Sequence, residues 1–458
     1  MFIPTLKNDS ELYPYRHGLY FAFFNALNWQ VATGTTLVLF MAQLGADSFQ
    51  VGLVCSWAYL LTPVQVLATA FLPHLGYKKL TLAGWGARSL FLLIPLGLAL
   101  MAPAAPAAWM VYAMVAAMFF YSFSGSMGSA AMLNWLYVLV PAHVRGRYWS
   151  TDQMISGTAA VGTLIVSAVL FVVLPPYGAF LVQYLIAIFG AGMAFRMLSQ
   201  LPDIERPMMM SLEKIVTDTP RLMLMPSPFR TYLWLAVLLF VTTTPILPFS
   251  VYYLKATAGL KLSHIMLFTM LHFLGLVGAN WFMRSRMDRT GAKPFFLLSF
   301  VAYAVVAVGW LVFLHTGSVA NLLLPGLFLL IGSASGCWTS ANLDYLARLL
   351  PEHDRALSLS IHGAASAFLG GFSPVIWGLF LKGGDEVPSV NVLVFEAFFV
   401  VVFLSMLLLI VLLPRLGVKT GPVEPLLGGS WLLRPFRVVA NLINLAEGPA
   451  DRREDGPR

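Results

Sequence analysis

"RSRMDRTGAK", residues 284 to 293, carries five charges in ten residues of a chain that is 59% hydrophobic and 10% charged. Charge this dense in so apolar a sequence marks a place where the chain passes from one medium into another. On both sides lie charge-poor runs of about 20 residues or more, each long enough to cross roughly 30 Å of hydrocarbon as a helix rising about 1.5 Å per residue. Working outward, we read twelve such spans, at about 18 to 42, 49 to 73, 80 to 101, 107 to 139, 151 to 174, 178 to 198, 231 to 254, 263 to 283, 294 to 315, 320 to 348, 356 to 381 and 390 to 413. They are too long and too continuously apolar for the alternating ten-residue strands of a membrane barrel. The expected fold class is all-α and integral to the membrane, with twelve transmembrane helices.

Composition agrees. A mean hydropathy of +0.79 over 458 residues, with 34 Phe, 12 Trp and 21 Met, gives more apolar surface than a soluble fold of this length can bury. The opening "MFIPTLKNDSELYPYRHG" lacks a short apolar core followed by small residues, so it is not read as a cleaved signal and the N-terminus is expected to be retained. Of the 28 Lys and Arg, all but Lys255, Lys261, Lys382 and Arg88 fall before span 1, between even and odd spans or at the span edges there, or after span 12. By the positive-inside rule both termini and these connections lie in the cytoplasm, in a multi-pass protein of the cytoplasmic (inner) membrane. The net charge of +8 is therefore a signature of topology, and no nucleic-acid partner is expected. Cys55 and Cys337 both fall within spans and define no disulfide framework.

The chain divides in two. Residues 199 to 230 form the longest internal polar segment and separate six spans from six, so we expect bundles over 1 to 198 and 231 to 413, a cytoplasmic linker over 199 to 230, and a cytoplasmic tail over 414 to 458. The halves echo each other. "NWLYVLVPAHVRGR" (134 to 147) aligns with "DYLARLLPEHDRAL" (344 to 357), matching Pro141, His143 and Arg145 to Pro351, His353 and Arg355. "PHLGYKK" (73 to 79) aligns with "DRTGAKP" (288 to 294), matching Gly76 to Gly291 and Lys78 to Lys293. A duplication explains both.

The D-R-x-G-x-K pattern between spans 8 and 9, its weaker copy between spans 2 and 3, the six-plus-six plan and the R-G-R after span 4 together resemble the major facilitator superfamily over residues 18 to 413. "VPAHVRGRYW" (140 to 149) is similar to a loop found in poorly characterised bacterial branches of it. The resemblance implies a secondary transporter that alternates a central cavity between the two faces. It implies a cytoplasmic latch of Asp288, Arg289, Gly291 and Lys293, with Asp288 facing a neighbouring helix N-terminus or an arginine such as Arg145 or Arg147, Arg355 at the position matching Arg145, and Asp344 within reach of Arg284, Arg286 or Arg289. Gly291 can take the positive φ that a tight turn often demands. The first copy departs from the pattern, with Pro73 and His74 in place of the acid and base, so the second carries more of the latch. The same bases are also explained by retention of topology alone.

Polar groups inside the spans carry the functional signal, because a charge in hydrocarbon costs at least a few kcal/mol and is kept facing protein or water. Arg88 stands nine residues beyond Lys79, about 13 Å into the membrane. It could pair with Asp152, greet an anionic substrate, or bond helix carbonyls as a structural arginine. In the second half Asp344, His272, His362 and Glu396 are the titratable candidates. Asp344 suits a latch partner or a proton carrier. His272 suits a proton carrier or a packing residue, and Glu396 suits snorkelling to the outer surface. In this fold central helices line the cavity, so the pocket candidates are Asn25, Asn28, Trp29 and Gln30 in span 1, Tyr121, Ser122 and Ser124 in span 4, Thr243 within "TTTPILP" (242 to 248) in span 7, and Ser333, Ser335, Trp338 and Asn342 in span 10. Such a pocket is mainly uncharged and aromatic, which fits a neutral, zwitterionic or amphipathic small organic molecule. In "WLLRPFRVVANLINLA" (431 to 446) a polar stripe opposes an apolar one, predicting a short helix on the cytoplasmic membrane surface with Trp431 as anchor.

Three functions compete: a secondary transporter, possible with proton coupling through Asp344 or His272; a transport-inactive relative acting as a membrane assembly factor or receptor; and an intramembrane enzyme. The last finds no paired metal ligands, no H-E-x-x-H and no nucleophile elbow in the sequence, and no G-x-x-x-x-G-K-[ST] loop supports direct ATP drive. The expected partners are a small-molecule substrate, protons and the lipid bilayer, with no cofactor or metal and a monomeric chain.

Overall fold

A computed structural model describes residues 12–101, 106–204, 223–284, 290–316, 322–349, 355–385 and 388–417. Among them every regular element is helical, and ten stretches are long and apolar enough to cross a membrane. The helices are α1 (Arg16–Ala32), α2 (Thr35–Gln43), α3 (Ser48–Leu60), α4 (Thr62–Ala68), α5 (Leu72–Leu90), α6 (Leu93–Met101), α7 (Ala108–Leu139), α8 (Ala142–Val173), α9 (Pro176–Ser199), α10 (Pro228–Thr243), α11 (Ile246–Ala256), α12 (Leu262–Arg284), α13 (Lys293–Thr316), α14 (Leu323–Leu349), α15 (Arg355–Asp385) and α16 (Pro388–Leu412). Large apolar side chains such as Leu90, Val172, Val173, Trp281 and Leu322 stand largely exposed, as expected where the solvent is lipid.

Several spans are interrupted at residues that cannot sustain a helix. Between α1 and α2, Thr33 and Gly34 leave helical geometry, and the Thr33 hydroxyl donates to the Trp29 carbonyl at 2.9 Å, occupying an acceptor near the break. Between α10 and α11 the chain breaks at Thr244 and Pro245, whose ring nitrogen has no hydrogen to give the preceding turn. Within α5, Gly76 has φ +76° and ψ 168°, which divides the 54-residue apolar stretch Ser48–Met101 into two arms. Gly291 has φ +71°. The two glycines aligned by sequence thus share a backbone conformation that an L side chain resists.

The described chain packs as two compact units: Met1–Asp218 with Thr243–Met270 and Gly363–Phe395, and Thr219–Thr242 with Leu271–His362 and Glu396–Arg458. In the first, a buried cluster of Leu19, Phe21, Tyr77, Leu80, Trp135 and Tyr148 joins α1, α5, α7 and α8. The Trp135 indole donates to the Pro202 carbonyl at 3.1 Å, and the Lys78 ammonium to the Leu201 carbonyl at 2.8 Å, tying down the chain beyond α9. Gly84 of α5 lies so close to the backbone of Gly128 in α7 that a Cβ would overlap it, which is the close helix approach small residues permit in membranes. In the second unit Trp310 stacks on Phe399 at 5.2 Å, and Tyr232, Phe296, Phe300, Trp338 and Tyr345 form an aromatic cluster.

Asp288 and Arg289 lie outside the described residues, as do the side chains of Arg145, Arg147 and Arg355 and the tail segment 431 to 446. Most of the expected linker, 205 to 222, lies outside them too. Of the remaining latch candidates, Lys293 is buried at the start of α13 and Asp344 is half-buried in α14.

Candidate functional site

Arg88 is buried with 9% of its surface exposed, although it carries a full charge inside an apolar stretch. The helix α5 delivers it one turn after Trp85, so that residues three apart share a face. Its guanidinium carbon lies 4.2 Å from the centre of the Trp85 ring and 5.5 Å from that of Tyr121. Its Nη2 donates a short hydrogen bond to Asn25 Oδ1 in α1, while the buried Nε has no hydrogen-bond partner among the described residues. Moving an arginine to the centre of a membrane helix costs about 2.5–3.5 kcal/mol. A hydrogen bond to a charged group returns about 1.5–3 kcal/mol and each cation–π contact about 0.5–2 kcal/mol. These contacts hold the cation in place but supply no opposite charge.

A second network lies beside it. The Tyr121 hydroxyl donates to Asn28 Oδ1, and Asn28 Nδ2 donates to the Ala187 carbonyl of α9 at 3.2 Å. Asn28 is wholly buried and Asn25 half-buried, on one face of α1. Gln30 is buried with its Oε1 unpartnered among the described residues, and Trp29 and Ser124 are half-buried. The sequence named Asn25, Asn28, Arg88 and Tyr121 separately, and the fold brings them together. It did not name Trp85, which reads as lipid-facing until the register of α5 against α1 and α7 is known.

Of the three roles open to Arg88, pairing with Asp152 is not seen: among the described residues no carboxylate lies within ion-pair distance of Arg88, and Asp152 takes a hydrogen bond from its neighbour Gln153 at 3.5 Å. Glu396 lies 3.6 Å from the largely exposed His315 of α13, a contact compatible with its reaching for the surface.

In the second unit His362 is buried and its ring lies parallel to that of Tyr232 at 5.4 Å, while the Tyr232 hydroxyl donates to Asn342 Oδ1. Trp338 is buried against Phe296 at 4.9 Å. His272 is buried in α12, its Nδ1 unpartnered among the described residues, and Ser335 is half-buried in α14. Thr243 is the last residue of α10, next to the break.

The first unit also holds a seam that sequence reading missed. The Lys382 ammonium lies 3.0 Å from Asp47, which also caps α3 by accepting from the Gln50 backbone at 2.8 Å. Ser48 donates to the Gly378 carbonyl at 3.2 Å, Thr35 to the Thr269 hydroxyl at 2.9 Å, and Thr62 to the Ala364 carbonyl at 3.3 Å. Gly52 and Gly371 let α3 and α15 approach until Cβ atoms there would press on the Pro374 carbonyl and on Tyr59. Segments 35 to 62 and 364 to 382 come from opposite sides of the sequence linker, and Asp47 and Lys382 read as opposing charges of outer loops.

Comparison with known proteins gives a coherent result. Among curated proteins none matches the sequence. Similar solved structures include the nucleoside transporter NupG (14% identity, TM-score 0.62, covering 87% of this chain and 98% of that one) and the xylose transporter XylE from E. coli in an inward open conformation (16%, TM-score 0.60, 87% and 94%). A POT family transporter in complex with a thioalcohol-conjugated peptide is also similar (12%, TM-score 0.65, 88% and 97%). At these identities the likeness is one of fold. The sequence model described as Major Facilitator Superfamily matches residues 19–374, and with it this multi-pass membrane chain belongs to that superfamily of transporters.

Proposed function

We propose that the protein is a secondary active transporter that moves a small organic solute across the cytoplasmic membrane by alternating access, with twelve crossings in two six-helix halves and both termini in the cytoplasm. Counting each arm of Ser48–Met101 as a crossing, and α1 with α2 as one interrupted crossing, raises ten apolar stretches to twelve. The observation that carries the reading is the pair of midspan breaks, Thr33–Gly34 and Thr244–Pro245, at equivalent positions of spans 1 and 7. Interrupted helices near the middle of a bilayer free backbone groups for a solute, and they are tolerated only where the break faces protein or a water-filled cavity.

The seam of Asp47, Ser48, Thr35 and Thr62 against Lys382, Gly378, Thr269 and Ala364 is the outer gate in this reading, and it is closed. The latch of Asp288, Arg289, Gly291 and Lys293 with Arg145, Arg147, Asp344 and Arg355 is its cytoplasmic counterpart. The positive φ shared by Gly76 and Gly291 supports two related turns. Asp344 and His272 are the candidates for proton coupling, and Asn25, Asn28, Arg88 and Tyr121 the first-half lining of the solute site.

The direct test is solute counterflow in liposomes, where translocation of any stabilising metabolite supports the reading. Binding without counterflow favours a transport-inactive receptor instead. Asp288→Asn tests the latch separately: cysteine accessibility should shift toward the cytoplasmic face, and unchanged labelling from both sides removes that role.

A further inference from the structure

The Arg88 guanidinium and the Asn25 amide both keep donors to spare for a ligand. Asn25 is oriented by its neighbour, because only its carbonyl oxygen can accept from the guanidinium, so its Nδ2 is turned away with two hydrogens and no acceptor among the described residues. The guanidinium has five N–H groups and one bonded acceptor, Asn25. The nearby acceptors each already take a hydrogen bond: Asn28 Oδ1 from Tyr121, and the Ala187 carbonyl from Asn28. Trp85 and Tyr121 present ring faces to the cation and no counter-charge. One buried positive charge with N–H groups to spare, beside one spare amide, complements a single planar oxyanion, which can accept in bidentate fashion from a guanidinium.

We propose that Arg88 and Asn25 form the docking point for the carboxylate of a monoanionic organic solute, the substrate class of the transporter reading on which this inference rests. Carrying one charge on the protein and one on the solute, the occupied site is neutral, and the solute supplies the counter-charge that the contacts of Arg88 within the protein do not. The expectation of a neutral, zwitterionic or amphipathic solute rests on the scarcity of charge along the spans, whereas this inference rests on the spare donors of Arg88 and Asn25.

The test uses the full chain in nanodiscs of neutral phosphatidylcholine, with thermal unfolding read against a library of organic monocarboxylates, each paired with its primary amide. Acids should raise the unfolding temperature of the wild type and their amides should not. Arg88→Gln should weaken the acids about tenfold or more, the loss expected for a charged hydrogen bond. Asn25→Asp is the second variant: it gives Arg88 a counter-charge from the protein and removes the spare amide, so the ligand-free protein should unfold at the same or a higher temperature and become insensitive to the acids. Stabilisation by amides equal to that by acids, acid binding that survives both variants, or no response to any acid overturns the proposal. An Arg88-dependent stabilisation that appears with anionic phosphatidylglycerol and not with the free acids assigns the site to a lipid headgroup and overturns it too. Acid binding without counterflow leaves this inference standing and removes the transporter reading, whereas counterflow of a neutral solute indifferent to both variants does the reverse.

Discussion

The two halves place different chemistry at matching positions. With spans 3 and 9 aligned on Gly76 and Gly291, spans 4 and 10 on Pro141 and Pro351, and spans 1 and 7 on their midspan breaks, Arg88 corresponds to Tyr303, Tyr121 to Ile331, Asn25 to Ala236 and Asn28 to Leu239. The cation and both asparagines have apolar or aromatic counterparts. The scaffold is kept where the polarity is not: Gly84 approaches the Ser124 carbonyl, and at the corresponding place the Ser299 hydroxyl donates to the Ala334 carbonyl at 2.8 Å. One half is built to hold a polar group, and the other closes over an aromatic cluster of Tyr232, Phe296, Trp338 and Tyr345. The symmetry belongs to packing, and Arg88 with its two asparagines has no polar match in the second half.

Substitutions on the two sides should therefore fail in different ways. Arg88→Gln should abolish transport while folded protein is recovered normally, as judged by size-exclusion profile and unfolding temperature. Trp338→Ala should do the opposite, costing about 3–5 kcal/mol of stability, as for large aromatic truncations in a packed core, while the carboxylate preference of surviving protein is unchanged. A stability loss in Arg88→Gln as large as that in Trp338→Ala would erase the contrast.

Next in size is the shared scaffold. Gly84→Val drives a side chain into the Gly128 backbone and should cost about 1–3 kcal/mol by overpacking. Ser299→Ala, at the matching point, removes only a hydrogen bond and should cost about 0.5–1.5 kcal/mol. Chemical denaturation of the two variants checks the order, and reversal would break the positional correspondence.

Smaller still is the outer seam. Asp47 and Lys382 are partly exposed, so Asp47→Asn should remove about 0.2–1 kcal/mol from this seam, a shift of a few-fold or less in the accessibility of cysteines placed along it. Substrate-driven proton flux at zero membrane potential, compared in the wild type, Asp344→Asn and His272→Gln, asks whether the aromatic half contributes coupling. Flux that survives both substitutions clears those residues of the role.

Much of this could be read from the sequence because it depends on length and local chemistry. Apolar runs near the thickness of a bilayer announce helices whatever their neighbours, and the turn at Gly291 follows from an acid, bases and a glycine in close order. Arg88 stood out by depth alone. Its partners did not, because pairing across helices depends on rotation and register that no periodicity encodes: Asp152 was the obvious counter-charge in sequence, and Asn25, 63 residues away, is the contact. Glu396 met His315 for the same reason, since nothing in either span says that α13 and α16 are neighbours. The seam was missed because Asp47 and Lys382 look like ordinary loop charges on opposite sides of the linker.

The most direct test of the central claim is counterflow of a stabilising carboxylate in liposomes containing wild type, Arg88→Gln or Asn25→Asp protein, with unfolding temperature as the control for folding. The expected result is exchange by the wild type and none by either variant, both remaining folded. Undiminished exchange by folded Arg88→Gln would contradict it.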